Sequence, residues 1–446
     1  MDRLPDDALL EVLKRLDVAD LLACRLVCKR LAALALHPDA WRHRHVVESG
    51  CLCPTLRLAP CLARLEVKVR SRRLTLKGRC TQEYATTCCA AAQLHLTVED
   101  YSEEDAALII RRQGLLGRLK RLEVTWRDSS IALDDSVLLT AVASTSGLHV
   151  LRVRLRFMPS NKTDMSILTK NLLSIAVPCS IREFECGGPG GPGTIEPFVN
   201  YVLERHAAAL ETVDLLPDWC WTWGRNSSVS TSTAAQLAGL PKLRSLACHL
   251  FPEVTACKTL RFLKLGLLKG SGLVQGLFRH VEQLQEVALS MVYTELSQSD
   301  VLSETILALT GSHLKSLMVA YETTDAAPVA HNDRWSQALL SVLPLLPALQ
   351  DLAVSWPTDQ LLRGINPITS PALRRLILSC PERTGACPQA LVHTGAVRDL
   401  FSANPSVCVG VRPPCPGVCN CMECVGVGSL EEYYDYMYDV VSLSLM

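Results

Sequence analysis

The sequence predicts an α/β chain, with a short helical module at its start and a curved repeat solenoid behind it. In that solenoid parallel strands line the concave face and helices lie outside. Three observations carry this. Leucine-headed phrases return along most of the chain, amphipathic segments of helical period separate them, and the first forty-odd residues follow a purely helical pattern.

The opening stretch "DRLPDDALLEVLKRLDVADLL" places Leu9, Val12, Leu13 and Leu16 at i, i+3, i+4 and i+7, one stripe of a helix. Pro5 suits the first helical position, Asp6 and Asp7 complement the helix N-terminus, and Lys14 and Arg15 its end. Further helices over residues 18–35 add Leu21, Leu22, Leu26, Val27, Leu31 and Leu34. Three short helices in about 40 residues have more apolar surface than they cover alone, which marks a protein interface.

Residues Leu4 to Trp41 resemble the F-box. Leu4-Pro5, Leu9, Val12-Leu13, Leu16, Asp20-Leu21-Leu22, Val27-Cys28-Lys29-Arg30 and Trp41 fall where that family has them, with Leu31 where it favours Trp. The resemblance implies docking onto a Skp-family adaptor, and through it a cullin and a RING subunit. The residues it assigns to the adaptor are Leu4, Pro5, Leu9, Val12, Leu13, Leu16, Leu21, Leu22, Val27 and Cys28.

After a linker or first cap over 46–61, one phrase recurs from 62 to 411. It reads "LARLEVKV" at Leu62, "LKRLEVTW" at Leu119, "LHVLRVRL" at Leu148, "IREFEC" at Ile181, "LETVDLL" at Leu210 and "LRSLACHL" at Leu243. It continues as "LRFLKLGL" at Leu260, "LQEVALSM" at Leu284, "LKSLMVAY" at Leu314, "LQDLAVSW" at Leu349 and "LRRLILSC" at Leu373, with a weaker "AAQLHLTV" at Ala91. The starts lie 24 to 35 residues apart, with one step of 17. Apolar residues at positions 1, 4 and 6 resemble the leucine-rich repeat, in about 12 degenerate copies that mostly lack its Asn or Cys at position 9. Alternation within each phrase is strand-like, and segments such as "SEEDAALIIRRQGLL" and "TIEPFVNYVLERHAAAL" read as the intervening helices.

Parity sorts the phrases. Positions 4 and 6 point inward, and the position-8 aromatics Trp126, Tyr321 and Trp356 cap the core at strand ends. Positions 3, 5 and 7 face the concave side and begin charged, with Arg64, Glu66, Lys68, Arg121, Glu123, Arg152 and Arg154, then Glu183, Glu185 and Asp214. A row that is basic at one end and acidic in the middle is a usable recognition surface. Arg121, Arg152, Arg154, Glu183, Glu185 and Asp214 are its candidate substrate contacts.

Other segments offer candidate chemistry. Gly188 to Gly193 formally match a dinucleotide-binding glycine pattern, but Pro189 and Pro192 remove backbone N–H donors that a pyrophosphate needs. Trp219, Trp221 and Trp223 alternate in an insertion and suit either a binding hot spot or a buried strand. Residues 412–446 form a tail that is first cysteine-rich and then acidic and aromatic. Its thiols read as free or redox-labile; Cys415, Cys419, Cys421 and Cys424 are the candidate ligands were a metal bound. The basic stretch "RLEVKVRSRRLTLKGR" alternates with Leu and Val, so it reads as a strand with a solvated face rather than a nucleic-acid site.

Composition bounds the rest. Lys+Arg and Asp+Glu balance at 45 each, so no net field draws the chain to nucleic acid or anionic lipid. The acidic start predicts no signal peptide, and no apolar run approaches the ~18–20 residues of a membrane span. Most of the 20 cysteines are scattered singly, Cys186 and Cys248 in apolar strands, and read as reduced buried thiols. The expectation is a cytoplasmic or nuclear, non-catalytic substrate receptor of an SCF-type ubiquitin ligase, without a cofactor, binding a protein substrate. The alternative is a ligase-independent repeat scaffold.

Overall fold

The structure, a computed structural model, describes residues 4–48, 52–70, 84–99, 102–127, 135–155, 165–187, 195–216, 230–249, 254, 256–267, 278, 283–293, 299–310, 312–323, 332–355, 357–379 and 394–412. The chain divides into two units, the first running to Leu210 and the second taking up at Glu211.

The first unit opens with four short helices, α1 (Asp6–Leu13), α2 (Val18–Cys24), α3 (Lys29–Ala35) and α4 (Pro38–Trp41). Asp17 caps α2 by accepting from the Asp20 amide, and the Cys28 thiol caps α3 through the Leu31 amide. Then follow β1 (His45–Val47), α5 (Cys53–Leu58), β2 (Cys61–Val69), β3 (Ala90–Val98), α6 (Glu103–Leu115) and β4 (Arg121–Trp126). The unit continues with α7 (Asp135–Ala143), β5 (Val150–Leu155), α8 (Met165–Leu173), β6 (Glu183–Gly187) and α9 (Glu196–Arg205). All pairings from β1 to β6 are parallel and in chain order.

The second unit holds β7 (Thr212–Asp214), α10 (Thr231–Ala238), β8 (Ser245–His249), β9 (Phe262–Leu267), β10 (Glu286–Tyr293) and α11 (Ser299–Ala308). It ends with β11 (Ser316–Thr323), α12 (Asn332–Val342), β12 (Asp351–Ser355), α13 (Asp359–Gly364), β13 (Arg375–Ser379), α14 (Gly395–Ala403) and β14 (Cys408–Arg412). Here too neighbouring strands pair in parallel and in sequence order.

Each of the twelve phrases is one strand, β2 to β13. The strands at either end are additional. β1 falls at the start of the expected linker and pairs with β2, and β14 pairs with β13, so the stack begins at His45 rather than Leu62. Positions 4 and 6 make the core: Leu65 and Val67, Leu94 and Leu96, Leu122 and Val124, Leu151 and Val153 are all buried, as are Leu263 and Leu265 in the second unit. Burying one such side chain contributes about 1.5–3 kcal/mol, so a leucine deleted from any rung is felt. Trp126 at position 8 is buried and caps its strand as parity requires. Tyr321 and Trp356 lie outside the residues whose side chains are described.

Polar pegs fix the turn before the strands. The buried Gln113 of α6 accepts from the Ala91 amide at 2.8 Å and donates to the Cys89 carbonyl at 2.9 Å. His206, just past α9, accepts through Nδ1 from the Ser180 amide at 3.1 Å. In the second unit Asn404 donates to the Ile365 carbonyl at 2.7 Å. Each peg satisfies backbone groups that a repeat turn otherwise buries unpaired.

Cys186 and Cys248 are buried thiols, as their apolar strands predict, together with Cys61, Cys89 and Cys257. Burial raises the thiol pKa of Cys89 to about 12, which keeps it protonated and unreactive. No helix among the described residues is long and apolar enough to cross a membrane.

Candidate functional site

Two surfaces of the first unit are candidates: the outside of the helical module and the exposed face of strands β2 to β6.

In the module, the apolar stripe of α1 splits. Leu9 and Leu13 are buried with Leu10, and Leu21 of α2 is fully buried. With Leu31, Leu34 and Trp41 they complete the module's own core; the Trp41 indole donates to the Ala35 carbonyl at 2.6 Å. The F-box resemblance assigns Leu9, Leu13 and Leu21 to the adaptor, yet these side chains face inward and hold the helices together. Leu16 and Leu22 are half-buried. Leu4, Pro5, Val12, Val27 and Cys28 are the members of that set that face solvent. Leu26 joins them at 82 % exposure, the most exposed apolar side chain of the module. It is not among the residues the F-box resemblance assigns; it stands in a turn between two helices, where no helix face exists to bury it.

Arg30 organises this surface. Its guanidinium donates to Asp6 through Nε at 2.8 Å and through a terminal nitrogen at 2.6 Å, and to the Leu4 carbonyl at 2.5 Å. This fork, which a lysine does not reproduce, brings the Leu4-Pro5 segment to the first turn of α3, beside the turn that exposes Leu26 and Val27.

Arg44 ties the module to the strands. It donates to the carbonyls of Ala40, Leu16 and Leu13, satisfying helix-end acceptors, and lies 5.7 Å from the centre of the Trp41 ring. Its own carbonyl accepts from the Ala63 and Arg64 amides of β2 at 3.0 and 3.2 Å. Burial lowers the Arg44 pKa, against the opposing field of Asp17.

On the strand face, register lines up what the sequence separates. Glu66, His95, Glu123, Arg152 and Glu185 are consecutive partners across β2 to β6 and form one row. Arg152 stands between Glu123 and Glu185 in it, so opposite charges interleave there, while the neighbouring row runs from Arg64 and Arg121 to Glu183, basic to acidic. Arg152 pairs with Glu185 at 3.1 Å, and Arg154 bridges Glu123 at 2.9 Å and Glu185 at 2.6 Å. Arg64 pairs with Glu66 at 2.8 Å. His95 sits between Glu66 and Glu123 at 4.0 and 3.8 Å, and burial lowers its pKa although both carboxylates pull the other way. Neutral His95 accepts through Nδ1 from Arg64 at 3.4 Å.

Arg121 and Glu183 share a second row, with Val150 between them. Asp214 lies on β7 in the second unit and accepts from the Leu216 amide at 2.8 Å. The glycine-proline segment, Trp219, Trp221, Trp223 and the tail cysteines lie outside the described residues. Among the described residues no group of three or more His, Cys, Asp or Glu is placed to hold a metal ion.

Comparison with known proteins places one domain. Residues 1–46 match the F-box-like family. No curated protein matches the chain. Among solved structures it is similar to a chain of the TLR13–ssRNA13 complex, at 15% identity and a TM-score of 0.35. That match covers 73% of this chain and 43% of the other. It is also similar to a chain of the Rad7–Elc1 complex of yeast, at 12% identity and a TM-score of 0.39 over 91% of this chain and 92% of that one. At these scores neither likeness carries an argument, and the fold rests on the strand register above. Residues 1–46 are thus an F-box-like domain, and the leucine-rich phrases after it fold as parallel strands with helices between them.

Proposed function

We propose that the chain is the substrate-recognition subunit of an SCF-type ubiquitin ligase, its F-box docking a Skp-family adaptor and its repeats holding a protein substrate. The observation that supports this is the split of the module's apolar residues. Its core is complete with Leu9, Leu13, Leu21 and Trp41 inside, yet Leu4, Val12, Leu26 and Val27 are left in water. Large apolar side chains kept exposed beside charge are what a partner covers. The mechanism is proximity. A substrate on the strand face and a ubiquitin-charged enzyme carried on the adaptor's side meet at high effective concentration, and this chain supplies no reacting group.

Co-purification of the full chain with a Skp-family adaptor tests the reading. Leu26→Asp together with Val27→Asp is expected to remove the adaptor while leaving the melting temperature unchanged, since exposed sites change stability by about 0.5 kcal/mol or less. Leu13→Asp is unsuitable, because it unfolds the module rather than its surface. Adaptor binding that survives the double substitution would leave the repeat scaffold as the better reading. Localisation to cytoplasm or nucleus belongs to the same proposal.

A further inference from the structure

The ion pairs of β2 to β6 leave Arg121 and Glu183 out. Glu123 is engaged by Arg154 and faces His95, and Glu185 is engaged by both Arg152 and Arg154. Arg121 stands in the next row, flanked in register by Gln93 on β3 and Val150 on β5, neither charged. Among the described residues no carboxylate lies within ion-pair distance of it. Glu183, the next residue of that row beyond Val150, has no ion-pair partner among them either. Burial lowers the Arg121 pKa, Arg152 lowers it further, and Glu123 and Glu183 oppose the change. The guanidinium remains charged at neutral pH all the same.

We infer that this row is the specificity element of the strand face, and that its occupant is a polypeptide segment presenting an acidic side chain to Arg121 and a basic one to Glu183. The proposal rests on the receptor reading above and names the class of substrate. A half-buried charge without a partner is costly in the free protein, and an incoming opposite charge recovers that cost. The two sites are two inter-strand spacings apart, about 10 Å, with the half-buried Val150 offering apolar contact between them. A polyanion is disfavoured, since Glu66, Glu123, Glu183 and Glu185 lie on the same strands. The paired Arg152, Arg154 and Glu185 are then scaffolding for this row rather than contacts of their own.

A random peptide library displayed on phage, selected on the full chain, tests this. A parallel selection uses the double variant Arg121→Glu, Glu183→Arg. Wild-type selections are expected to converge on peptides with one acidic and one basic side chain at a fixed separation. Those peptides should lose about tenfold in affinity to Arg121→Glu alone. The double variant is expected to select the reverse order. Selections that converge on nothing, or peptides indifferent to both substitutions, overturn the proposal. So does an oligothymidine probe whose binding needs Arg121, which would make the occupant a nucleic acid. Both variants are expected to keep the adaptor. If the adaptor stays and the peptides fail, this inference alone falls. If the native chain never binds adaptor, the receptor reading falls and the peptide result stands by itself.

Discussion

The guanidinium of Arg44 donates to the carbonyl of Leu13 at 2.7 Å, joining the last residue of α1 to the residue that precedes β1. The same group also holds the carbonyls of Leu16 and Ala40. Arg44→Ala leaves three acceptors without this donor and is expected to destabilise by about 2–4 kcal/mol, read from the urea midpoint of the full chain. Arg44→Lys should recover less than half of the loss, because a point charge on a flexible stem does not span a fork. Full recovery by lysine would show that charge alone matters there.

Glu123 is the most buried acid of the ladder, with Arg154 2.9 Å away. Glu123→Ala should cost about 1–3 kcal/mol, less than the ~3–5 kcal/mol for breaking a fully buried pair, because Arg154 is partly in water. A double-mutant cycle with Arg154→Ala is the measurement; a coupling energy near zero would make the pair ornamental.

Gly266 on β9 leaves room for its neighbours. A Cβ there would stand 2.8 Å from Leu216 Cδ2 and 2.9 Å from His249 Nδ1, while His249 hydrogen-bonds the Gly266 carbonyl at 3.2 Å. Gly266→Ala is therefore expected to lower stability by about 1–3 kcal/mol, despite alanine's lower chain entropy, as measured by thermal unfolding. An unchanged or raised melting temperature would contradict the packing described.

His206 and His249 are buried, and burial lowers each from the usual 6.5 to about 4. In the unfolded chain they take up protons near pH 6.5; folded, they resist until about pH 4. Their contribution is thus complete above pH 6.5 and is lost as pH falls toward 4. His206→Gln keeps an acceptor for the Ser180 amide without titrating, and is expected to flatten the decline of stability across that window. A decline as steep as wild type's would assign it to other groups.

The repeat body was legible because period-two alternation around leucine has few other uses, and every phrase from Leu62 to Leu373 heads or precedes a strand. β1 was missed because three residues show no period. β14 was missed because Ser406 stands at position 1, where the phrases carry an apolar residue. The site was less legible. Val12 and Leu13 are adjacent and both apolar, yet one is 55 % exposed and the other 3 %. Only the packing of α3 and α4 on α1 decides between them. Likewise the charges of the strand face could be named one by one, but their pairing depends on register. Glu66 and Glu185 stand 119 residues apart in sequence and in one row of the sheet.

Three residues separate Trp41 from β1, and the carbonyl of Arg44 is hydrogen-bonded to β2, so the module leads into the stack without a flexible tether. Within the first unit, then, distance from the F-box is counted in strands. Adding or removing one repeat between β1 and β4 would shift Arg121 by one inter-strand step, about 4.8 Å, and by nothing in between. For the proposed receptor, the number of repeats acts as a ruler with fixed divisions, and the reach of a bound segment changes only in whole marks.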